Sequence, residues 1–184
     1  MKKFLGIVLT LGIVASLVGC GNKTETTTAA KVDTSNIKMG RVEYAAHGTK
    51  CFTVAVVAVS GDTIVGASID DYQFMGKDVA KGVPNSDKDF GLQGYKDPNM
   101  VLASKKANAK YYSDLMKEEA KATKPLDESY AAIEKYVTGK TVADLEKTLN
   151  DNDAKKMVDA VSGATLQDTK GYVTALVEAA KTAK

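Results

Sequence analysis

Apolar positions fall into two regimes along the chain, strand-like in the first half and helix-like in the second, with a separate apolar run at the start. Between Arg41 and Tyr72, Val42, Tyr44 and Ala46 alternate with polar neighbours, and Cys51 to Val59 is a β-branched apolar run. Ser60-Gly61-Asp62 interrupts that run before Ile64, Val65, Ala67 and Ile69 resume it. This predicts a β-hairpin around a glycine-containing turn. The unbroken apolar stretch Phe52 to Val59 predicts a strand covered on both faces, which asks for helices. Gly76 to Pro98, punctuated by Gly82, Pro84, Gly91 and Gly94, reads as a long irregular excursion, and such lengths in a compact domain are usually functional or disordered.

Helical spacing takes over afterwards. Asn99 to Lys121 reads as the longest helix, with Val101, Tyr111, Tyr112, Leu115 and Met116 approximating one face. Leu126, Tyr130, Ile133 and Val137 recur at helical spacing until Gly139 stops them, and Thr141 is placed to cap a third helix carrying Val142, Leu145 and Leu149. A last helix, Asp168 to Lys181, turns Tyr172, Val173, Leu176 and Val177 inward. Strands first and helices later predict an α+β domain: an N-terminal antiparallel β-hairpin sheet packed against several C-terminal helices. There is no internal repeat.

The first apolar run is of another kind. Lys2 and Lys3 precede Phe4 to Val18, and Leu17-Val18-Gly19 ends the run with small residues before Cys20. That is the layout of an export signal. Fifteen helical residues at about 1.5 Å each reach roughly 22 Å, short of a roughly 30 Å hydrocarbon core. The division expected is a signal peptide over 1–19, a tether rich in Thr, Lys, Asn and Ala over 20–36, and one folded domain over 37–184. The chain has 25 Lys plus Arg against 23 Asp plus Glu; without Lys2 and Lys3 the remainder is 23 against 23. A nucleic-acid binder driven by net positive charge is thereby disfavoured. Two cysteines and one histidine, His47, leave no disulfide framework and no cysteine zinc site once Cys20 is used elsewhere.

Chemistry concentrates near the C-terminus, in Asp159-Ala160-Val161-Ser162-Gly163-Ala164-Thr165 just before the last helix. A phosphoester needs a hydroxyl, and Ser162, Thr165 and Thr169 each offer one. Gly163 permits a backbone conformation that brings amides close to a phosphate, and a helix starting after the turn directs its positive end there. Ala164 is small enough to leave room above the turn, and Asp159 is placed to fix the turn or to orient the acceptor hydroxyl. The segment resembles the flavinylation motif Asp-x-x-Ser/Thr-Gly-Ala-Thr of the FMN-binding domain found in the C subunit of the sodium-pumping NADH:quinone reductase and the G subunit of the Rnf complex. The resemblance implies that a flavin transferase, with FAD and Mg²⁺, places FMN on the last threonine of the motif, here Thr165.

Gly82 to Asp87, Leu102 to Lys105 and Tyr111-Tyr112-Ser113 are similar to the pheromone-type FMN lipoproteins of Gram-positive bacteria. The Leu-x-Gly-Cys ending likewise resembles a lipobox, in which Cys20 would take a diacylglycerol. Together the resemblances imply a lipid-anchored extracytoplasmic electron carrier rather than an enzyme with its own substrate, served by an upstream membrane donor and an extracellular acceptor. Gln73 with Phe74, and the group Ser104, Lys105 and Asn108 beside Tyr112, are further candidates for contacts to the cofactor. A metal site at His47 lacks a second ligand. The other class to weigh is a non-redox surface lipoprotein, binding a ligand or releasing a peptide pheromone, in which Ser162 to Thr165 is only structural.

Overall fold

The computed structural model describes residues 34–48, 50–84, 97 and 99–184, and ten short elements lie among the described residues. The signal, Cys20, most of the tether, and Asn85 to Asp87, Gly91, Gly94 and Pro98 of the excursion lie outside the described residues. After a 3-10 turn at Thr34–Asn36, strands β1 (Ile37–Tyr44), β2 (Cys51–Ser60), β3 (Thr63–Gly76) and β4 (Met100–Ser104) form one antiparallel sheet in sequence order. Helices α1 (Ala109–Glu119), α2 (Leu126–Val137), α3 (Val142–Asp151), α4 (Ala154–Ala160) and α5 (Thr169–Lys181) follow. The domain is α+β.

The hairpin forms where the glycine allows it. Ser60 pairs with Thr63 across two residues, and Gly61 takes φ +63°, the positive value a type II′ turn demands at its first central position. One irregularity in β3 then decides which side chains are buried. Ile64 and Ile69 are five residues apart, so strict alternation would send them to opposite faces. The register shifts between Ala58 and Val59, leaving Val65 as an extra residue, and both isoleucines enter the core at 0% exposure.

Coverage of β2 is one-sided, against the expectation of two covered faces. Thr53, Ala55, Val57 and Val59 are buried, whereas Val54, Val56 and Ala58 are half-buried and Phe52 stays 38% exposed. The helices all arrive after the strands and pack on one layer, α5 across β1 and β2 and α2 across β3. On the open face Phe52 stacks on Tyr72 with ring centroids 5.5 Å apart.

The stretch from Asn99 to Lys121 is not one helix. Its first part is β4, paired with β3 from Gly76↔Met100 to Tyr72↔Ser104, and α1 begins only at Ala109. Pairing to the sheet edge overrides the helix preference of Ala103 to Ala107. Side chains build the turn between the two elements: Asp70 accepts from Ser104 Oγ and from Lys106 N–H, and Asn108 Nδ2 donates to the Ser104 carbonyl (2.8 Å). Helix α2 is as expected, burying Leu126, Tyr130, Ile133 and Val137. Thr141 caps α3, accepting from Asp144 N–H at 3.1 Å. Helix α4, capped by Asp153 accepting from Lys156 N–H at 2.9 Å, is an element the apolar spacing does not announce.

Helix α5 is the keystone of the core, with Tyr172, Val173, Leu176 and Val177 all buried. Two glycines let it lie unusually close to the strands. A Cβ on Gly40 would stand 1.9 Å from the Ala179 carbonyl oxygen, and one on Gly171 2.3 Å from that of Ala46. Beyond the helix, Arg41 N–H donates to Thr182 Oγ1 (3.1 Å) and Lys184 N–H to the Met39 carbonyl (3.4 Å). The chain end thereby covers the free edge of β1, which would otherwise offer unpaired backbone to another strand.

Candidate functional site

The turn that carries Thr165 links α4 to α5. Gly163 takes φ +96°, and a side chain there would also press on Ala132 Cβ of α2 at 3.3 Å. Ala164 N–H donates to the Val161 carbonyl (3.0 Å), and Thr169 N–H to that of Leu166 (3.1 Å). Ala164 is buried, so its small size serves the packing beneath the turn rather than clearance above it. Asp159 and Ser162 are exposed.

The three hydroxyls of this region differ sharply. Ser162 faces solvent, and Thr169 is buried with its Oγ1 donating to the Leu166 carbonyl at 2.6 Å. Thr165 Oγ1 is buried and has no hydrogen-bond partner among the described residues, a condition that ordinarily costs about 1–3 kcal/mol. Ser129 Oγ is orphaned in the same way, but of the two residues it is Thr165 that lines the cavity beside the turn.

That cavity, of about 320 Å³, lies between the Thr165–Asp168 turn, the C-terminal half of α1 with the chain after it, and the β1–β2 loop. Tyr112, Met116, Leu126 and Tyr172 give it largely apolar walls, and Thr165, His47 and Asp168 provide polar groups. Its size falls at the lower end of ordinary small-ligand sites. A second cleft of about 390 Å³ shares His47, Tyr112 and Met116 with it and extends to Gln73 and Cys51.

His47 is the residue the motif gives no hint of. Its Nδ1 is bonded to Asp168 Oδ2, across 121 positions of sequence, and Cys51 Sγ donates to its backbone carbonyl. Burial, with Asp71 adding to it, pushes the Cys51 thiol above its usual range and makes it a poor nucleophile. Among the described residues no cluster of three or more His, Cys, Asp or Glu is placed to hold a metal ion.

Behind the tyrosine walls lies a buried charged network. Asp71, at 0% exposure, accepts from Lys105 Nζ (2.9 Å), from Tyr172 OH (2.7 Å) and from Thr53 Oγ1. Lys105, 1% exposed, sits 4.5 Å above the Tyr112 ring, and Tyr130 OH donates to Tyr172 OH at 3.3 Å. Burial works to lower the Lys105 value, but Asp71 and Tyr112 outweigh it and hold the ammonium above the usual lysine range. The phenols of Tyr130 and Tyr172 are both driven up, chiefly by burial, so they stay protonated.

Three of the candidate contact residues are engaged by other elements of the protein. Ser104 is bonded to Asp70, Lys105 is consumed by Asp71, and Asn108 clamps Lys81 by accepting from its N–H (2.8 Å) and donating to its carbonyl (3.1 Å). None of the three lines the Thr165 cavity, because each side chain is satisfied inside the protein. Gln73 lines the adjoining cleft rather than the Thr165 cavity, and with Phe74, Phe52 and Tyr72 it also lines a further cleft at the sheet.

No family model, curated protein or solved structure matches the chain.

A phosphoester of FMN fits the residues present. Thr165 lines a largely apolar cavity and carries a hydroxyl with no partner among the described residues, and α5, thirteen residues long, begins just beyond it.

Proposed function

We propose that the chain is a membrane-anchored extracytoplasmic flavoprotein that carries electrons through FMN held covalently on Thr165, in extracellular electron transfer. The observation that supports this best is that Thr165, at the acceptor position of a flavinylation-like motif, lines a cavity and carries a buried hydroxyl without a partner among the described residues. Bound there, FMN would supply reversible uptake and release of electrons, and its covalent bond would keep it from being lost to the medium. Thr165 contributes the ester oxygen: in attachment that oxygen bonds to the FMN phosphorus of FAD, the bond to the AMP half breaks, AMP leaves and the hydroxyl proton is released. Tyr112, Met116, Leu126 and Tyr172 supply the apolar surface that shields a flat ring system from water. Cys20 is the proposed lipid anchor, with the tether setting the reach from the membrane. The partners are a flavin transferase, a membrane donor and an extracellular acceptor.

Co-expression with a flavin transferase should add the mass of one FMN, retained through denaturation. Thr165→Ala should abolish the adduct with the fold intact, since removing a buried hydroxyl that has no partner is nearly neutral or stabilising. Thr165→Ser should retain labelling, because the oxygen survives. An adduct mapped to Ser162 or Thr169, or one retained by the alanine variant, rules the assignment out.

A further inference from the structure

The mouth of the Thr165 cavity contains a contradiction for an anionic ligand. Asp168 stands three residues after Thr165, at the N-cap of α5, where its side chain makes no capping bond. A bare carboxylate there would repel a phosphoryl group and cancel part of the helix-end attraction. Its partner in the structure is His47, and the loop that carries His47 is fixed independently. The Ala46 carbonyl is pressed against Gly171, and the His47 carbonyl accepts from Cys51 Sγ. With Asp168 accepting from Nδ1–H, the ring leaves Nε2 without a partner among the described residues, and His47 lines the same cavity as the orphaned Thr165 hydroxyl. The other cation on that rim, Lys121, has its ammonium on the Glu118 carbonyl at 3.1 Å. His47 and Thr165 line one cavity without a hydrogen bond to each other.

We propose that His47, oriented by Asp168, is a positioning residue that donates Nε2–H to a phosphoryl oxygen of the ligand seated at Thr165. The inference rests on Thr165 being the phosphoryl anchor. Donation from both ring nitrogens requires the imidazolium form, whose charge would offset that of Asp168 and turn a repulsive helix cap into a hydrogen-bond donor for an anion. A ligand with the same ring system and no phosphate gains nothing from this contact.

The test uses the unloaded protein, titrated with FMN and with riboflavin and followed by quenching of flavin fluorescence. Wild type should bind FMN at least about tenfold more tightly than riboflavin, the scale of one charge-assisted hydrogen bond. His47→Phe keeps a ring of similar bulk and should erase that preference, read as the ratio of the FMN and riboflavin affinities of the same variant. His47→Gln, which retains an N–H donor, should keep part of it. Thermal melts of both variants separate loss of the contact from loss of fold. Equal binding of the two flavins by wild type, or an undiminished preference in a folded His47→Phe, overturns the proposal. If Thr165 is labelled while the preference ignores His47, this inference alone fails. If the preference depends on His47 but no covalent adduct forms, the covalent reading alone fails.

Discussion

Replacing Lys105 with methionine tests how the buried network holds the cavity walls. The substitution keeps the length and apolar stem of the side chain and removes only the ammonium. Asp71, at 0% exposure, would keep two hydroxyl donors, Thr53 and Tyr172, and lose the Lys105 ammonium 2.9 Å away. Stranding a buried charge in this way typically costs about 3–5 kcal/mol, a large share of the roughly 5–15 kcal/mol that stabilises a domain. Urea unfolding followed by circular dichroism measures it directly. The cause is isolated by adding Asp71→Asn: with no carboxylate left to strand, the double variant should be more stable than Lys105→Met alone, and the two losses should fall short of their sum. A loss below about 1 kcal/mol for Lys105→Met, or strict additivity in the double variant, would refute the claim that this pair acts as a unit. The walls should respond as well, since Tyr112 lies under the ammonium and Tyr172 donates to the carboxylate.

Alkaline unfolding should be sharp. Lys105, Tyr130 and Tyr172 all have values raised by folding, so each contributes its full stability below its unfolded value and loses it as pH rises beyond. Stability should therefore fall from about pH 10 upward, with the two buried phenols ionising only on unfolding; tyrosinate absorbance that developed fully ahead of the circular dichroism change would contradict this. Gly171→Ala should lower Tm by several degrees, because a Cβ 2.3 Å from the Ala46 carbonyl forces the β1–β2 loop off α5 at about 1–3 kcal/mol. The same variant should shift the His47 ring resonances in an NMR spectrum, and an unchanged Tm with unchanged resonances would show that the contact is slack.

Local chemistry announced the parts of the fold that local chemistry governs. Gly61 fixed the hairpin, Thr141 the start of α3, and the spacing of Tyr130, Ile133 and Val137 the inner face of α2. Met100 to Ser104 misled because a short edge strand is chosen by its neighbour β3 rather than by its own residues, and the alanine and lysine that follow favour a helix in isolation. The bulge at Val65 is invisible for a similar reason: the pattern shows apolar residues, but only closure onto the helices decides that both Ile64 and Ile69 turn inward. At the candidate site, Thr165 was legible because its neighbours in sequence are its neighbours in space. The His47 to Asp168 pair joins positions 121 residues apart, and Ser104, Lys105 and Asn108 bond to residues on other elements. Spacing along one helix cannot report such partners.

Helix α5 joins two tasks at opposite ends of one rigid rod. Its first turn carries Asp168 beside the Thr165 turn, and just past its last turn Thr182 and Lys184 close the edge of β1. Thirteen residues at about 1.5 Å each give a rod of about 20 Å, and each residue added or removed also turns one end by about 100° relative to the other. The helix therefore works as a gauge block whose length is set in whole residues. A single insertion within it would swing either the cavity wall out of place or the chain end off the strand, whatever residue was inserted.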